Sequence, residues 1–239
     1  MMPALSILVA LIWGVKGQNL SQELRDNITE FHRKLREGVQ PNASNMMFVE
    51  YSVDLENYAI QWTANCSDSV PDYKMLPQDV QRVQEYAYNN VPNPVEILSE
   101  FASQKVHYNF TYNNCSKRCN DYKILVWAAT TELGCVIRNC TPADSPSVIE
   151  YFFACLYRPV GNMSDQRPYL NGSSCSRCPS GYQCDRNQCA VPMTTTSTLT
   201  STSTTTLTST STSTSTSIST RLPVLGITTS AMFIIHLLR

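Results

Sequence analysis

The sequence predicts an α+β fold assembled in layers, and three observations predict it. Apolar residues recur at helical spacing through the first part of the chain. The clearest strand, an aromatic run at Tyr151–Phe153, comes late, and an even number of cysteines, ten, lies beyond the first 65 residues. Helices set apart from strands in this way pack against the faces of a sheet. With 18 basic and 19 acidic residues the chain offers no electrostatic footprint for nucleic acid, and that class of partner is excluded.

Met1–Gly17 is apolar from Ala4 to Val15 and ends in small residues at Val15 and Gly17, ahead of Gln18. It is too short to span a membrane and reads as a secretory signal peptide, residues 1–17, although no basic residue precedes its apolar run. Export places the ten cysteines in an oxidising compartment, which suggests five disulfides and no free thiol. Nine N-glycosylation triplets agree with export: Asn19, Asn27, Asn42, Asn65, Asn109, Asn114, Asn139, Asn162 and Asn171. Asn65, Asn114 and Asn139 carry Cys in the middle of the triplet, where less frequent use is expected.

From Ser21 to about Arg36, the residues Leu24, Ile28, Phe31 and Leu35 make one stripe of an amphipathic helix. His32, beside Arg33 and Lys34, is expected at the surface or between helices rather than in chemistry. A second helix is expected from Val53 to Cys66, with Leu55, Tyr58, Ala59, Trp62 and Cys66 on one side, and a third, weaker one near Gln78–Tyr88. The fourth starts at Asn93, with Pro94 in the first helical position and Glu96 placed to close a capping box before Leu98 and Phe101.

Tyr151–Met163, YFFACLYRPVGNM, reads as a closing core strand whose pairing ends at Pro159 and Gly161. Its Phe152, Phe153, Cys155, Tyr157, Pro159, Gly161 and Asn162 resemble the second signature of the CAP superfamily, the cysteine-rich secretory, antigen 5 and pathogenesis-related proteins; Leu156 stands where a polar residue is usual. Cys115, Cys119, Tyr122, Leu125, Val126, Trp127, Gly134, Cys135 and Cys140 fit the frame of the first signature, and FHRKLREGVQPNASNM resembles the family's first helix and the loop after it. The resemblance implies a CAP-type α-β-α sandwich over residues 18–167, followed by a small disulfide-held cysteine-rich hinge over 168–190. It also implies the pairs Cys66 with Cys140, Cys135 with Cys155, Cys115 with Cys119, Cys175 with Cys184, and Cys178 with Cys189.

Many CAP proteins set two His and two Glu in a central cleft, a group that binds a divalent ion such as zinc. Here the His of the first signature becomes Asp121, and no His stands between Ser67 and Tyr88 to supply the other. One Glu position is kept as Glu85 and the second falls on Gln104. The set is degenerate and no metal or other cofactor is expected; Glu85 and Asp121 leave open only weak holding of a hard cation. No nucleophile and base set accompanies His32, His107 or His236, so no enzymatic activity is expected.

Residues 191–220 are dominated by Ser and Thr and read as a disordered, mucin-like stalk. Residues 221–239 are mostly apolar and fit a signal for a glycosylphosphatidylinositol anchor, with a single-pass helix as the alternative. The layout resembles membrane-anchored peptidase-inhibitor-like and venom-allergen-like members of the family, secreted and held at the cell surface. The resemblance implies action by binding, of sterols or other lipids, through an aromatic loop ahead of the first signature. That place holds Tyr108, Phe110 and Tyr112, and flat apolar rings bury well against aromatic faces. The same residues also suit the core side of a strand, and a glycan on Asn109 would crowd them. The alternative function is a glycosylated surface protein that recognises a protein partner, its cleft a relic.

Overall fold

The computed structural model describes residues 19–66, 76–144 and 147–192. These belong to the first of two compact units, Met1–Thr194 and Thr195–Arg239. The expected signal peptide, almost all of the stalk and the anchor lie outside the described residues.

Helix α1 (Gln22–Glu37) opens on Ser21, whose Oγ accepts from the Leu24 N–H at 3.2 Å. Strand β1 (Glu50–Tyr51) leads into helix α2 (Val53–Trp62), capped in the same way by Ser52. Then come β2 (Gln81–Tyr88), α3 (Pro94–Ser103), a 3₁₀ turn (Gln104–His107), the short strands β3 (Tyr108–Asn109) and β4 (Asn114–Cys115), and α4 (Asn120–Leu125). The long hairpin of β5 (Glu132–Asn139) and β6 (Glu150–Arg158) follows, and β7 (Gln183–Asp185) and β8 (Gln188–Ala190) close the described chain.

The main sheet has the order β1-β5-β6-β2. The β1–β5 pair is parallel and the other two are antiparallel. Side chains alternate across a strand, so this sheet presents two apolar faces. Leu133, Cys135, Phe153 and Tyr157 meet Ile28 of α1, Leu98 of α3 and Leu125 of α4 on one face. Val136, Phe152 and Leu156 meet Leu55, Ala59 and Trp62 of α2 on the other. The outcome is the expected α-β-α sandwich. The approach of α2 to β5 needs a glycine, since a Cβ on Gly134 would stand 2.3 Å from the Glu56 nitrogen.

Three expectations are corrected. Gln78–Tyr88 is not a helix: Gln81–Tyr88 is an edge strand paired with β6 along its whole length, from Gln81 opposite Tyr157 to Tyr88 opposite Glu150. Both its faces are only partly covered, so it lacks the clean alternation that marks a strand. Helix α2 ends at Trp62, not Cys66. Thr63 turns its hydroxyl back to the Ala59 carbonyl at 2.8 Å, Arg138 takes the Ile60 carbonyl at 2.6 Å, and Cys66 lies beyond with φ 45°. His32, expected at the surface or between helices, is at neither: it is 1% exposed and lies between α1 and the sheet, against Tyr157 of β6.

The described chain holds five disulfides: Cys66–Cys140, Cys115–Cys119, Cys135–Cys155, Cys175–Cys184 and Cys178–Cys189. Cys135 and Cys155 are register partners on β5 and β6. The cysteine-rich segment is docked on the sandwich, not free of it. Phe48 donates to the Cys189 carbonyl at 2.9 Å and Cys189 to the Met46 carbonyl at 2.6 Å. Arg186 reaches Glu30 at 2.8 Å and Glu37 at 2.9 Å on α1.

Candidate functional site

The degenerate cleft lies between β2 and α4. Asp121, 6% exposed, accepts from Gln104 Nε2 at 2.7 Å and pairs with Arg118 Nε at 2.9 Å through the same oxygen. These residues flank a cavity of about 280 Å³ that Gln81, Gln84, Asn120 and Asp121 line with polar groups. A divalent ion needs several anionic or imidazole ligands. Here the one carboxylate already carries a guanidinium, and the neighbouring position offers an amide that donates. Glu85, opposite Phe153 on β2, accepts from its neighbour's backbone at 3.3 Å. Among the described residues no three His, Cys, Asp or Glu side chains gather as a metal ion would require. The residues do not fit the family's metal, and no chemistry is routed through one.

His32 belongs to the scaffold. Its Nδ1 donates to the Ile28 carbonyl at 2.8 Å, which leaves Nε2 to accept from the Tyr157 hydroxyl at 3.0 Å. Burial pushes its pKa down to about 4, so the ring is neutral. One turn on, the buried guanidinium of Arg36 donates to five carbonyls, those of Met47, Leu125, Trp127, Ala128 and Thr130. It thereby fixes the loop after α4 against the loop after α1.

That clamp sets the position of a second cavity, also about 280 Å³, between the end of α1 and the aromatic loop. Leu35 and Val39 form one wall and Tyr108, Phe110 and Tyr122 the other, with Gln40 and Lys105 as polar groups at the lining. Tyr108 and Phe110 meet edge to face at 6.3 Å, Tyr108 stands 6.1 Å from Tyr122, and Phe110 stacks on Tyr169 at 4.9 Å. Burial raises Tyr108 to about 12 and also raises Tyr122, so both hydroxyls stay neutral.

The loop that carries Phe110 is a turn, not the alternating strand the sequence suggests, because only Tyr108 and Asn109 pair with β4. Two cations hold it. Arg167 donates to the Phe110 carbonyl at 2.8 Å and the Thr111 carbonyl at 2.6 Å. Lys123, buried and with its pKa lowered by that burial, bonds Asn113 Oδ1 at 3.2 Å and the Met163 carbonyl. The structure thus brings Tyr108 and Phe110 to the cavity and leaves Tyr112 outside it, 76% exposed. Sequence reasoning missed Leu35 and Val39 as walls and Tyr169, Arg167 and Lys123 as supports. Only Tyr122, placed by the first-signature frame, carried a signal. All nine sequon asparagines are exposed.

Together these features define an α-β-α sandwich of CAP type with a disulfide-held appendage, its central cleft closed by an amide, a carboxylate and a guanidinium. The family model described as "CAP: Cysteine-rich secretory protein family" matches residues 24–157, more than half of the sequence, and the chain belongs to this family. It is 29% identical over 179 residues to GLIPR1-like protein 1 of Mus musculus, covering 70% of this chain and 72% of that one. With peptidase inhibitor 16 of Homo sapiens it shares 28% identity over 192 residues, which span 79% of this chain but 40% of that longer protein. Among solved structures, BmVAL-1 superposes with a TM-score of 0.60 at 21% identity, over 74% of this chain and 98% of that one. Venom allergen-like protein 4 of Schistosoma mansoni does so at 0.50 and 24% identity, over 64% and 97%. These two show the fold.

Proposed function

We propose that the chain is a secreted, non-enzymatic glycoprotein, tethered to the cell surface by its C-terminal segment, that binds an apolar ligand such as a sterol or another lipid. The observation that carries the reading is the cavity between Leu35, Val39, Tyr108, Phe110 and Tyr122. Its volume, about 280 Å³, stands just below the roughly 300–1,000 Å³ typical of small-molecule sites. It suits an acyl chain or the leading rings of a sterol, with the rest of the molecule toward solvent. Gln40 and Lys105 supply the few polar groups that orient such a ligand. A non-enzymatic reading follows from the donor set, since neither His32, held neutral against Tyr157, nor Asp121, held by Arg118, is placed beside a nucleophile.

The test is a titration of labelled cholesterol and of a labelled long-chain fatty acid against the full chain, expressed in a secretory host with its glycans. Saturable binding that Phe110→Ala weakens supports the reading, and no saturable uptake of either ligand removes it.

A specific observation favours a second reading, a protein partner. Tyr88, Val91, Val148 and Ile149 are 55%, 64%, 47% and 40% exposed. They lie together at one end of the sheet, where the Asn89 N–H donates to the Ile149 carbonyl at 2.7 Å. If that patch is the working surface, Tyr88→Glu abolishes partner capture and leaves ligand uptake untouched.

A further inference from the structure

We propose that the Cys115–Cys119 disulfide is a reducible switch behind the aromatic wall of the cavity. Of the five bonds it closes the shortest loop, with a sequence separation of 4 against 9, 11, 20 and 74. The constraint that a disulfide places on the unfolded chain grows with loop length, so this bond adds least to global stability and its loss leaves the fold standing. It is also within reach of a reductant. Cys115 is exposed and lines, with His107, Tyr108 and Ser116, a surface recess of about 290 Å³. Its partner Cys119 is 0% exposed, so attack falls on Cys115, whereas Cys135 and Cys155 are both 0% exposed and offer a reductant neither sulfur. Lys117, exposed, stands between the two cysteines, and a nearby cation favours the thiolates through which exchange proceeds.

The position of the bond gives its reduction a consequence. Cys115 is the register partner of Tyr108 in the β3–β4 ribbon, and Cys119 is the cap residue of α4, which carries Asp121 and Tyr122. One cross-link therefore ties the ribbon that carries Tyr108 to the helix that carries Tyr122, the two elements that build the aromatic wall of the cavity. In the exchange, a thiolate of a dithiol reductant attacks Cys115 Sγ, and Cys119 leaves as a thiolate and takes a proton from solvent. The second thiolate of the reductant then displaces Cys115, so the dithiol becomes a disulfide and its two electrons end on the two cysteines. With the tie cut, the ribbon parts from α4 and the cavity loosens. An effect on ligand uptake rests on the function proposed above; reducibility and loosening do not.

The test uses the full, glycosylated chain and no ligand. It is incubated under native conditions with graded dithiothreitol, freed thiols are trapped by alkylation and mapped by mass spectrometry, and amide hydrogen exchange is recorded on the partly reduced sample. Expected is labelling of Cys115 and Cys119 at a reductant concentration about tenfold below that needed for the other eight cysteines, with faster exchange confined to residues 108–125. Labelling of Cys175 and Cys184 first, or of all ten cysteines together, overturns the proposal. So does early labelling of Cys115 and Cys119 with exchange unchanged.

Discussion

Gln104 and Asp121 are joined by a 2.7 Å hydrogen bond from Nε2 to Oδ2, across the cleft where relatives of this fold place metal ligands. The bond turns an ion site into a structural one, because the same oxygen also carries Arg118. Asp121→Ala leaves the part-buried amide of Gln104 without that acceptor, while the exposed guanidinium of Arg118 turns to water. A buried polar group left unsatisfied costs about 1–3 kcal/mol. The expected result is a loss of that size in denaturant unfolding, with Asp121→Asn, which keeps an acceptor, losing less.

His32 makes stability depend on pH. Its folded pKa, about 4, lies below the ordinary 6.5. Between these values the unfolded chain takes up a proton that the folded chain refuses, so stability falls as pH drops from 6.5 to 4 and levels off below. The integrated loss is on the order of 3 kcal/mol. Urea unfolding at pH 7.5 and pH 4.5 checks it: the difference between the native chain and His32→Gln should shrink at the lower pH.

Arg36 serves five backbone carbonyls from two loops. Arg36→Met leaves several of them buried and unpaired, at about 1–3 kcal/mol each. The yield of folded protein in the medium should collapse. Arg36→Lys keeps the charge but offers at most three donors, and should be secreted with a lower thermal midpoint.

Gly134 gives the tightest approach in the sandwich, with Leu55 and Glu56 inside 3 Å of where a Cβ would stand. The atoms there include helix backbone, which cannot rotate away. Gly134→Ala is expected to cost about 1–3 kcal/mol or more through overpacking, seen as a fall in the urea midpoint without a change in slope.

What the sequence disclosed follows from how local each signal was. The strand at Phe152–Tyr157 was legible because it is buried along its whole length and so reads as one apolar run. The start of α3 at Asn93 was legible because a cap is set by residues two or three apart, whereas the cap of α1 at Ser21 was not read. Strand β2 was not, since a polar edge strand owes its conformation to β6 rather than to its own pattern. His32 read as a surface or interhelix residue because Arg33 and Lys34 flank it, whereas its partner Tyr157 lies 125 residues away. The aromatic motif disclosed half of the cavity. Of its other half, Leu35 read only as part of the apolar stripe of α1, and Val39, in the loop after it, carried no signal.

If the chain acts as proposed, the space between Val39 and Phe110 is a ligand site and not a packing defect. The most direct measurement is uptake of a labelled fatty acid by the full secreted chain carrying Val39→Phe, which fills the space, beside Tyr112→Ala, which removes an exposed ring outside it. The account predicts that Val39→Phe abolishes saturable uptake while thermal stability stays near that of the native chain, and that Tyr112→Ala binds as the native chain does. Uptake unchanged by Val39→Phe, or lost with Tyr112→Ala alone, would contradict it.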